Sequence, residues 1–241
     1  MTSIVFLAAG KSSRIYKDIK KPKCLITIEN KTLIKKLVRN AIDVNIKNIS
    51  IVTGYKSSLI KKELKEFKEI NYIFNKYFRS KEMLYSMMLA LEKISGDLIF
   101  SYSDIIYDKK ILKKMKNNKN FIQLPILSNW KKIWKQRKKN MFKDAENLII
   151  DNKNNLKMIG QKIKNIKKVK YQYMGLIYIP NFLKKNIVEI YLKTKNKKKM
   201  HISKFLNIIS KNKKIQIKCI KYNGFWYEFD DLDDYTNYYI N

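Results

Sequence analysis

Near the start of the chain, Leu7-Ala8-Ala9-Gly10-Lys11-Ser12-Ser13-Arg14 is followed closely by Lys21-Pro22-Lys23. This combination suits a phosphate chain. Ala8, Ala9 and Gly10 are small enough for the backbone to approach a ligand, and successive loop amides can then cradle phosphate oxygens. Arg14 and Lys23 add the positive charge that a crowded triphosphate and a departing pyrophosphate need. Two better-known phosphate loops are excluded. A P-loop requires a glycine five residues before Gly10, where Val5 stands, and a dinucleotide fingerprint requires three spaced glycines. The bland alternative is an ordinary strand-to-helix turn.

Three further stretches carry chemically useful side chains. Ser101-Tyr102-Ser103-Asp104 closes an apolar run, and a carboxylate there can hold Mg²⁺, a hard cation that prefers oxygen ligands. The competing reading is that Asp104 caps a turn. Trp226-Tyr227-Glu228-Phe229-Asp230 sets Glu228 and Asp230 on one face of a strand, while Asp231, Asp233 and Asp234 suit the start of a helix, where negative charge meets the positive end of the dipole. Trp130, Trp134 and Arg137 precede Asp144-Ala145-Glu146. Tryptophan faces beside two carboxylates could hold a cationic group. Equally, Trp130 and Trp134, at i and i+4, could be the packing face of one helix. His201 is the single histidine, which excludes histidine triads and multi-histidine metal sites; among Lys and Ile it reads as a surface residue. Cys24 reads as packed beneath the phosphate loop.

The elements that must position these residues alternate. Ser3 to Ala9, Asn48 to Thr53, Ile70 to Phe74 and Asp97 to Tyr102 read as strands. Thr32 to Val44, Ser57 to Phe67 and Glu82 to Ile94 show helical periodicity. Strand and helix in alternation predict a parallel sheet with right-handed crossovers, whose ligands bind outside the carboxyl ends of the strands. Gly10, Gly54 and Asp104 fall at such ends. Beyond residue 120, Phe121 to Leu127 and Tyr173 to Ile179 read as strands, and Asn181 to Lys193 and His201 to Ser210 as helices. Ile215 to Lys221 and Phe225 to Phe229 read as a closing pair of strands joined at Asn223-Gly224. There is no internal repeat and no linker. The expectation is one domain over 1–241, with a nucleotide-binding half at 1–120 and an acceptor-binding half at 121–241.

Composition bounds the rest. The hydrophobic fraction of 45 % supplies a full core at 241 residues. No apolar run approaches the roughly 20 residues of a membrane span, and the N-terminus shows no export pattern. Two separated cysteines, Cys24 and Cys219, fit a reduced cytoplasmic protein. The net charge of +33 raises nucleic-acid binding as a class. The lysines are spread along the chain, however, and no nucleic-acid-binding motif accompanies them. The expectation is therefore no specific nucleic-acid partner and a field that attracts triphosphates; a homodimer is left open.

The Leu-Ala-Ala-Gly, Arg and Pro-Lys pattern resembles the signature of the nucleoside-triphosphate transferase family, over nearly the whole chain. The resemblance implies a three-layer, Rossmann-like α/β fold with a mixed, mainly parallel sheet, and a Mg²⁺-dependent reaction. Leu7, Ala8, Ala9, Gly10, Lys11, Ser12 and Ser103 would surround the nucleotide, with Tyr85 and Ser86 at its base or ribose. Arg14 and Lys23 would be catalytic, Lys23 bridging the α-phosphate and the acceptor. Asp104 matches the family's metal-binding aspartate, and Asp230 the last residue of its late Trp-x-Glu-hydrophobic-Asp motif, the second metal ligand. Ser12 and Ser103 depart from the glycines usual at those places. The middle stretches, with Ile159-Gly160-Gln161-Lys162 and Gln172-Tyr173-Met174-Gly175, look like cytidylyltransferases that activate phosphocholine, phosphonates or related phosphorylated amines, including the phosphoamide of glutamine. This implies CTP as donor and a small phosphorylated acceptor lying against Trp130, Trp134, Asp144, Glu146, Gln172 and Tyr173. A sugar-1-phosphate uridylyl- or thymidylyltransferase is one alternative, and a non-catalytic basic nucleic-acid-binding protein another.

Overall fold

The computed structural model describes residues 1–11, 20–116 and 120–240. Its strands are β1 (Thr2–Ala8), β2 (Thr27–Ile28), β3 (Lys31–Thr32), β4 (Ile49–Thr53), β5 (Ile70–Phe74), β6 (Asp97–Tyr102), β7 (Ile105–Tyr107), β8 (Ile122–Leu127), β9 (Asn147–Ile150), β10 (Leu156–Gln161), β11 (Gln172–Tyr173), β12 (Leu176–Ile179), β13 (Ile217–Tyr222) and β14 (Trp226–Glu228). Its α-helices are α1 (Leu33–Asp43), α2 (Ser57–Glu63), α3 (Met83–Lys93), α4 (Lys110–Lys116), α5 (Trp130–Gln136), α6 (Met141–Asp144), α7 (Lys184–Lys193), α8 (Ile202–Ile209) and α9 (Leu232–Ile240).

The main sheet runs β5-β4-β1-β6-β12-β8-β13, with β11 also paired to β8. Only β11 and β12 run against the rest. The sheet is mixed and mainly parallel, as the alternating pattern and the family resemblance imply. β1 lies inside it, which is why its run is apolar on both faces. Ile4 and Phe6 face one core layer with α1, α2, α4 and α5. Val5, Leu7 and Ala9 face the other, with α3, α7, α8 and the β9–β10 ribbon. Each layer thus covers one side of the sheet. No helix among the described residues is long and apolar enough to cross a membrane.

Two expectations are corrected. β13 and β14 are not a hairpin. β13 pairs in parallel with the full length of β8, and β14 pairs antiparallel with β7. The turn chemistry at Asn223-Gly224 is real, but the backbone around it is claimed elsewhere. Ser128 N donates to Tyr222 O at 2.7 Å, and Asn129 Nδ2 donates to Asn223 O at 3.0 Å. The run Tyr173 to Ile179 is likewise two strands. Gly175 interrupts it with φ +73°, and a Cβ there would stand 3.0 Å from the Tyr102 ring. The β9–β10 ribbon is an addition that the sequence pattern does not announce.

Candidate active site at the carboxyl ends of the strands

β6 ends at Tyr102, and the chain turns through Ser103 and Asp104 into β7. The turn is pinned to β1, because Ser103 Oγ donates to Leu7 O at 2.8 Å. The β7–β14 ladder pairs Ile105 with Glu228 and Ile106 with Tyr227. Phe229 N donates to Asp104 O at 2.9 Å, which extends the pairing by one step. This ladder brings Asp104 and Asp230 together. Lys23 begins a short 3₁₀ turn, Lys23–Leu25, after Pro22. Its Nζ donates to Asp230 Oδ1 at 2.6 Å and lies 3.4 Å from Asp104 Oδ2. Burial works against the Lys23 charge, but Asp104 and Asp230 outweigh it and hold the ammonium above its ordinary range.

Three adjoining cavities form a cleft through this point. The first, of about 590 Å³, is lined by Leu7, Ala9, Gly10, Lys11, Asn75 and Ser86, and by Arg79, Lys81, Lys198 and Lys199. The middle one, of about 370 Å³, shares Gly10, Glu82 and Met83 with the first and adds Lys23, Asp104, Asp230 and Ile202. The third, of about 220 Å³, shares Tyr102, His201, Glu228 and Asp230 with the middle one. It adds Trp134, Trp226, Asp144, Glu146, Gln172 and Tyr173. The first and third cavities both draw on residues before and after position 120.

Charge is divided along the cleft. The first cavity is basic. The third is acidic, within a chain whose net charge is +33. Burial pushes the Glu228 carboxyl up to about 8, against the pull of Arg137 and with Asp230, Asp104 and Asp144 adding to the rise. Burial also raises Asp144 and Glu146. Such carboxyls mark a space short of positive charge. They are nevertheless built in. Ser203 Oγ donates to Glu146 Oε1 at 2.8 Å. Gln172 fixes the Glu146 backbone through its amide, accepting from Glu146 N at 2.9 Å and donating to Glu146 O at 2.7 Å. Arg137, wholly buried, lies 3.3 Å from Glu228 Oε2 and 3.7 Å from Asp144 Oδ2.

The sequence-derived residues are placed as follows. Leu7, Ala9, Gly10, Lys11 and Ser86 line the first cavity. Ala8 points into the opposite core layer, as strand alternation requires. Ser103 is a buried strap between β1 and β6 rather than a wall. Tyr85 packs against Tyr77 and Lys81. Ser86 Oγ accepts from Asn75 Nδ2 at 3.0 Å. Ser12 and Arg14 lie outside the described residues. Trp134 walls the third cavity, stacked on Trp226 at 5.7 Å with an interplanar angle of 4°. In place of an acceptor contact, Trp130 stands behind Trp134, edge-on at 5.6 Å and only 1 % exposed, because i and i+4 share a helix face that here meets the core. Asp234 does more than favour a helix start: it is fully buried and bound to Arg137. From sequence, Glu82 and Tyr102 have no assigned role and His201 reads as a surface residue, which its 65 % exposure matches; each lies on a cavity wall only because distant elements meet. Cys24 is buried and its thiol is pushed up to about 12 by burial, then by Asp104, so it is no nucleophile.

Among the described residues the site joins one buried lysine and two part-buried carboxylates between a basic and an acidic chamber, an arrangement able to hold phosphates. Comparison with known proteins gives the class of enzyme. Residues 4–121 match the MobA-like NTP transferase domain, and the chain is a nucleotidyltransferase. It is 27 % identical to the CTP:phosphoglutamine cytidylyltransferase of Campylobacter jejuni over 95 % of this chain and 96 % of that one. Two solved structures share the fold at low identity. CTP:phosphocholine cytidylyltransferase from Streptococcus pneumoniae superimposes with a TM-score of 0.74 at 16 % identity, covering 100 % of this chain and 99 % of that one. A UDP-glucose pyrophosphorylase complexed with UDP-glucose does so with 0.75 at 17 %, again over 100 % and 99 %.

Proposed function

We propose that the chain is a Mg²⁺-dependent cytidylyltransferase that couples CTP to a small phosphorylated amine and releases pyrophosphate. An oxygen of the acceptor phosphate attacks the α-phosphorus of CTP. A new P–O–P bond forms, the bond to the β-phosphate breaks, and pyrophosphate leaves. The attacking oxygen is already anionic, so no protein base is required. Catalysis is then positioning and charge stabilisation. Gly10 and Lys11 line the basic chamber where pyrophosphate would separate, with Arg14 as a further cation. Helices α3 and α8 bring Met83 and Ile202, at their N-terminal ends, to the middle cavity, where peptide dipoles favour phosphate. Lys23 is held where the α-phosphate and acceptor phosphate would meet.

The metal fits the residues present. Lys23 Nζ is within 3.4 Å of both Asp104 and Asp230 carboxylates, so their oxygens converge on one cation position. Asp104 Oδ1 is buried and has no hydrogen-bond partner among the described residues. Mg²⁺ commonly takes one or two carboxylates and completes its shell with substrate phosphates and water. Asp104 and Asp230 would hold the ion, and its charge would help neutralise the phosphates.

The observation that carries the acceptor assignment is the acidic third cavity, whose walls gather Asp144, Glu146, Glu228 and Asp230 beside Trp134 and Trp226. Carboxylates gathered in one chamber welcome an ammonium group. The Gln172 amide, which could otherwise serve a sugar hydroxyl, is already engaged with Glu146 and Tyr171. CTP as donor rests on the likeness to the Campylobacter jejuni relative. A pyrophosphate-release assay with four nucleotides against phosphocholine, phosphoethanolamine, 2-aminoethylphosphonate, phosphoglutamine and glucose 1-phosphate tests the reading. CTP with a phosphorylated amine should give the highest kcat/KM. A preference for UTP or dTTP with glucose 1-phosphate would overturn the acceptor assignment.

A further inference from the structure

The acceptor's phosphate must sit where the middle and third cavities merge, so that its oxygen reaches the α-phosphorus while its organic part extends toward Trp134. That junction is hostile to an anion. The walls of the two cavities carry Glu82, Asp104, Asp144, Glu146, Glu228 and Asp230. Among the described residues on those walls, two side chains can offer N–H donors with positive charge: Lys23, already bound to Asp104 and Asp230, and His201.

His201 lies on the wall of both cavities. It caps the N-terminus of α8, next to Ile202 and Ser203, and its side chain is 65 % exposed. Nδ1 stands 3.7 Å from Glu82 Oε2 across the cleft, beyond hydrogen-bond length. Glu146 lies within electrostatic reach on the other side. Lys204 belongs to the same helix, and Lys198 and Lys199 to the turn before it. An imidazole carries at least one N–H in either charge state, so it can donate to a phosphate oxygen without a change of protonation.

We infer that His201 binds the acceptor's phosphate, holding it at the junction of the two cavities against the surrounding carboxylates. The assignment rests on the transfer reaction proposed above and adds an acceptor-binding residue to it.

Because His201 is the only histidine of the chain, its ring C–H signals in an NMR spectrum are assigned without further work. Phosphocholine, phosphoethanolamine, 2-aminoethylphosphonate, phosphoglutamine and glucose 1-phosphate are each titrated against their phosphorus-free counterparts. The compound that turns over best should shift the His201 signals saturably, and its counterpart should not. In kinetics, His201→Ala should raise the acceptor KM about tenfold or more, the size expected for losing a hydrogen bond to a charged group. The CTP KM should stay within about twofold, and His201→Lys should recover most of the acceptor affinity. An unmoved His201 signal with the best acceptor, an equal shift with its phosphorus-free counterpart, or an unchanged acceptor KM in His201→Ala would each overturn the inference. Glucose 1-phosphate as the best acceptor, with His201 shifted, would keep the inference and remove the amine assignment.

Discussion

Arg137 is the most heavily committed charge in the protein, and replacing it with methionine isolates what it does. The guanidinium is wholly buried and grips Asp234 in a two-pronged contact, Nε to Oδ1 at 2.8 Å and Nη2 to Oδ2 at 3.0 Å. Asp234 is buried too, and its Oδ2 also accepts from Asp230 N at 2.8 Å. That carboxylate therefore fixes the backbone of a proposed metal ligand. Methionine keeps much of the arginine stem's volume but takes the two-pronged partner from Asp234 and leaves it the longer contact to Lys139, at 3.4 Å. Removing one partner of a buried pair typically costs about 3–5 kcal/mol, because the other charge stays buried. In a chain of this length 1 kcal/mol shifts the melting temperature by about 2–4 °C. Arg137→Met should therefore lower the melting temperature by roughly 6–20 °C. The double variant Arg137→Met/Asp234→Asn should recover at least half of that loss, since the wholly buried carboxylate goes with its cation. Calorimetry or circular dichroism of the four corners of this cycle at neutral pH measures it. A single variant within about 2 °C of wild type, or a double variant no more stable than the single, would refute the argument.

Two further outcomes follow from the site. The Glu228 carboxyl is raised in the fold, so its contribution to stability is complete below the ordinary carboxyl value and is lost as pH rises through the folded value of about 8. Wild type should lose stability between about pH 5 and 8 relative to Glu228→Gln, measured by urea midpoints; a constant gap between the two would show that Glu228 is not held protonated. Asp104→Asn and Asp230→Asn should each lower kcat by about a hundredfold or more, and EDTA should abolish wild-type activity until Mg²⁺ is restored. Full pyrophosphate release in EDTA would remove the metal from the reaction.

Much of the fold is legible in the sequence because its signals are local. β6 is read with its full bounds, Asp97 to Tyr102, and α1 and α3 fall within a residue or so of their periodic patterns. The phosphate loop, Asp104 and Asp230 are found as motifs, each within a short stretch. Errors concentrate where the answer depends on a distant partner. A strand's pattern says that it is buried, not what it pairs with, and so β13 and β14 read as a hairpin although each is claimed by β8 and β7. The same holds for Trp130 and Trp134, whose spacing is identical under either role. The approach of Trp226 makes one of them a cavity wall and leaves the other behind it.

The residue types and their short-range spacing determined the chemistry that could be proposed: small residues able to approach a phosphate chain, lysine and aspartates able to supply charge or hold a metal, and an alternation that produces a mainly parallel sheet. Tertiary structure decided which charges meet. Lys23 and Asp230 are 207 positions apart yet share a hydrogen bond of 2.6 Å. Arg137 and Asp234, separated by 97, form the buried pair that steadies that aspartate. The acidic chamber inside a strongly basic chain is likewise assembled from β6, α5, β11, β14 and the start of α8. Burial and Coulomb energy depend on distances in space, which no spacing along the chain encodes.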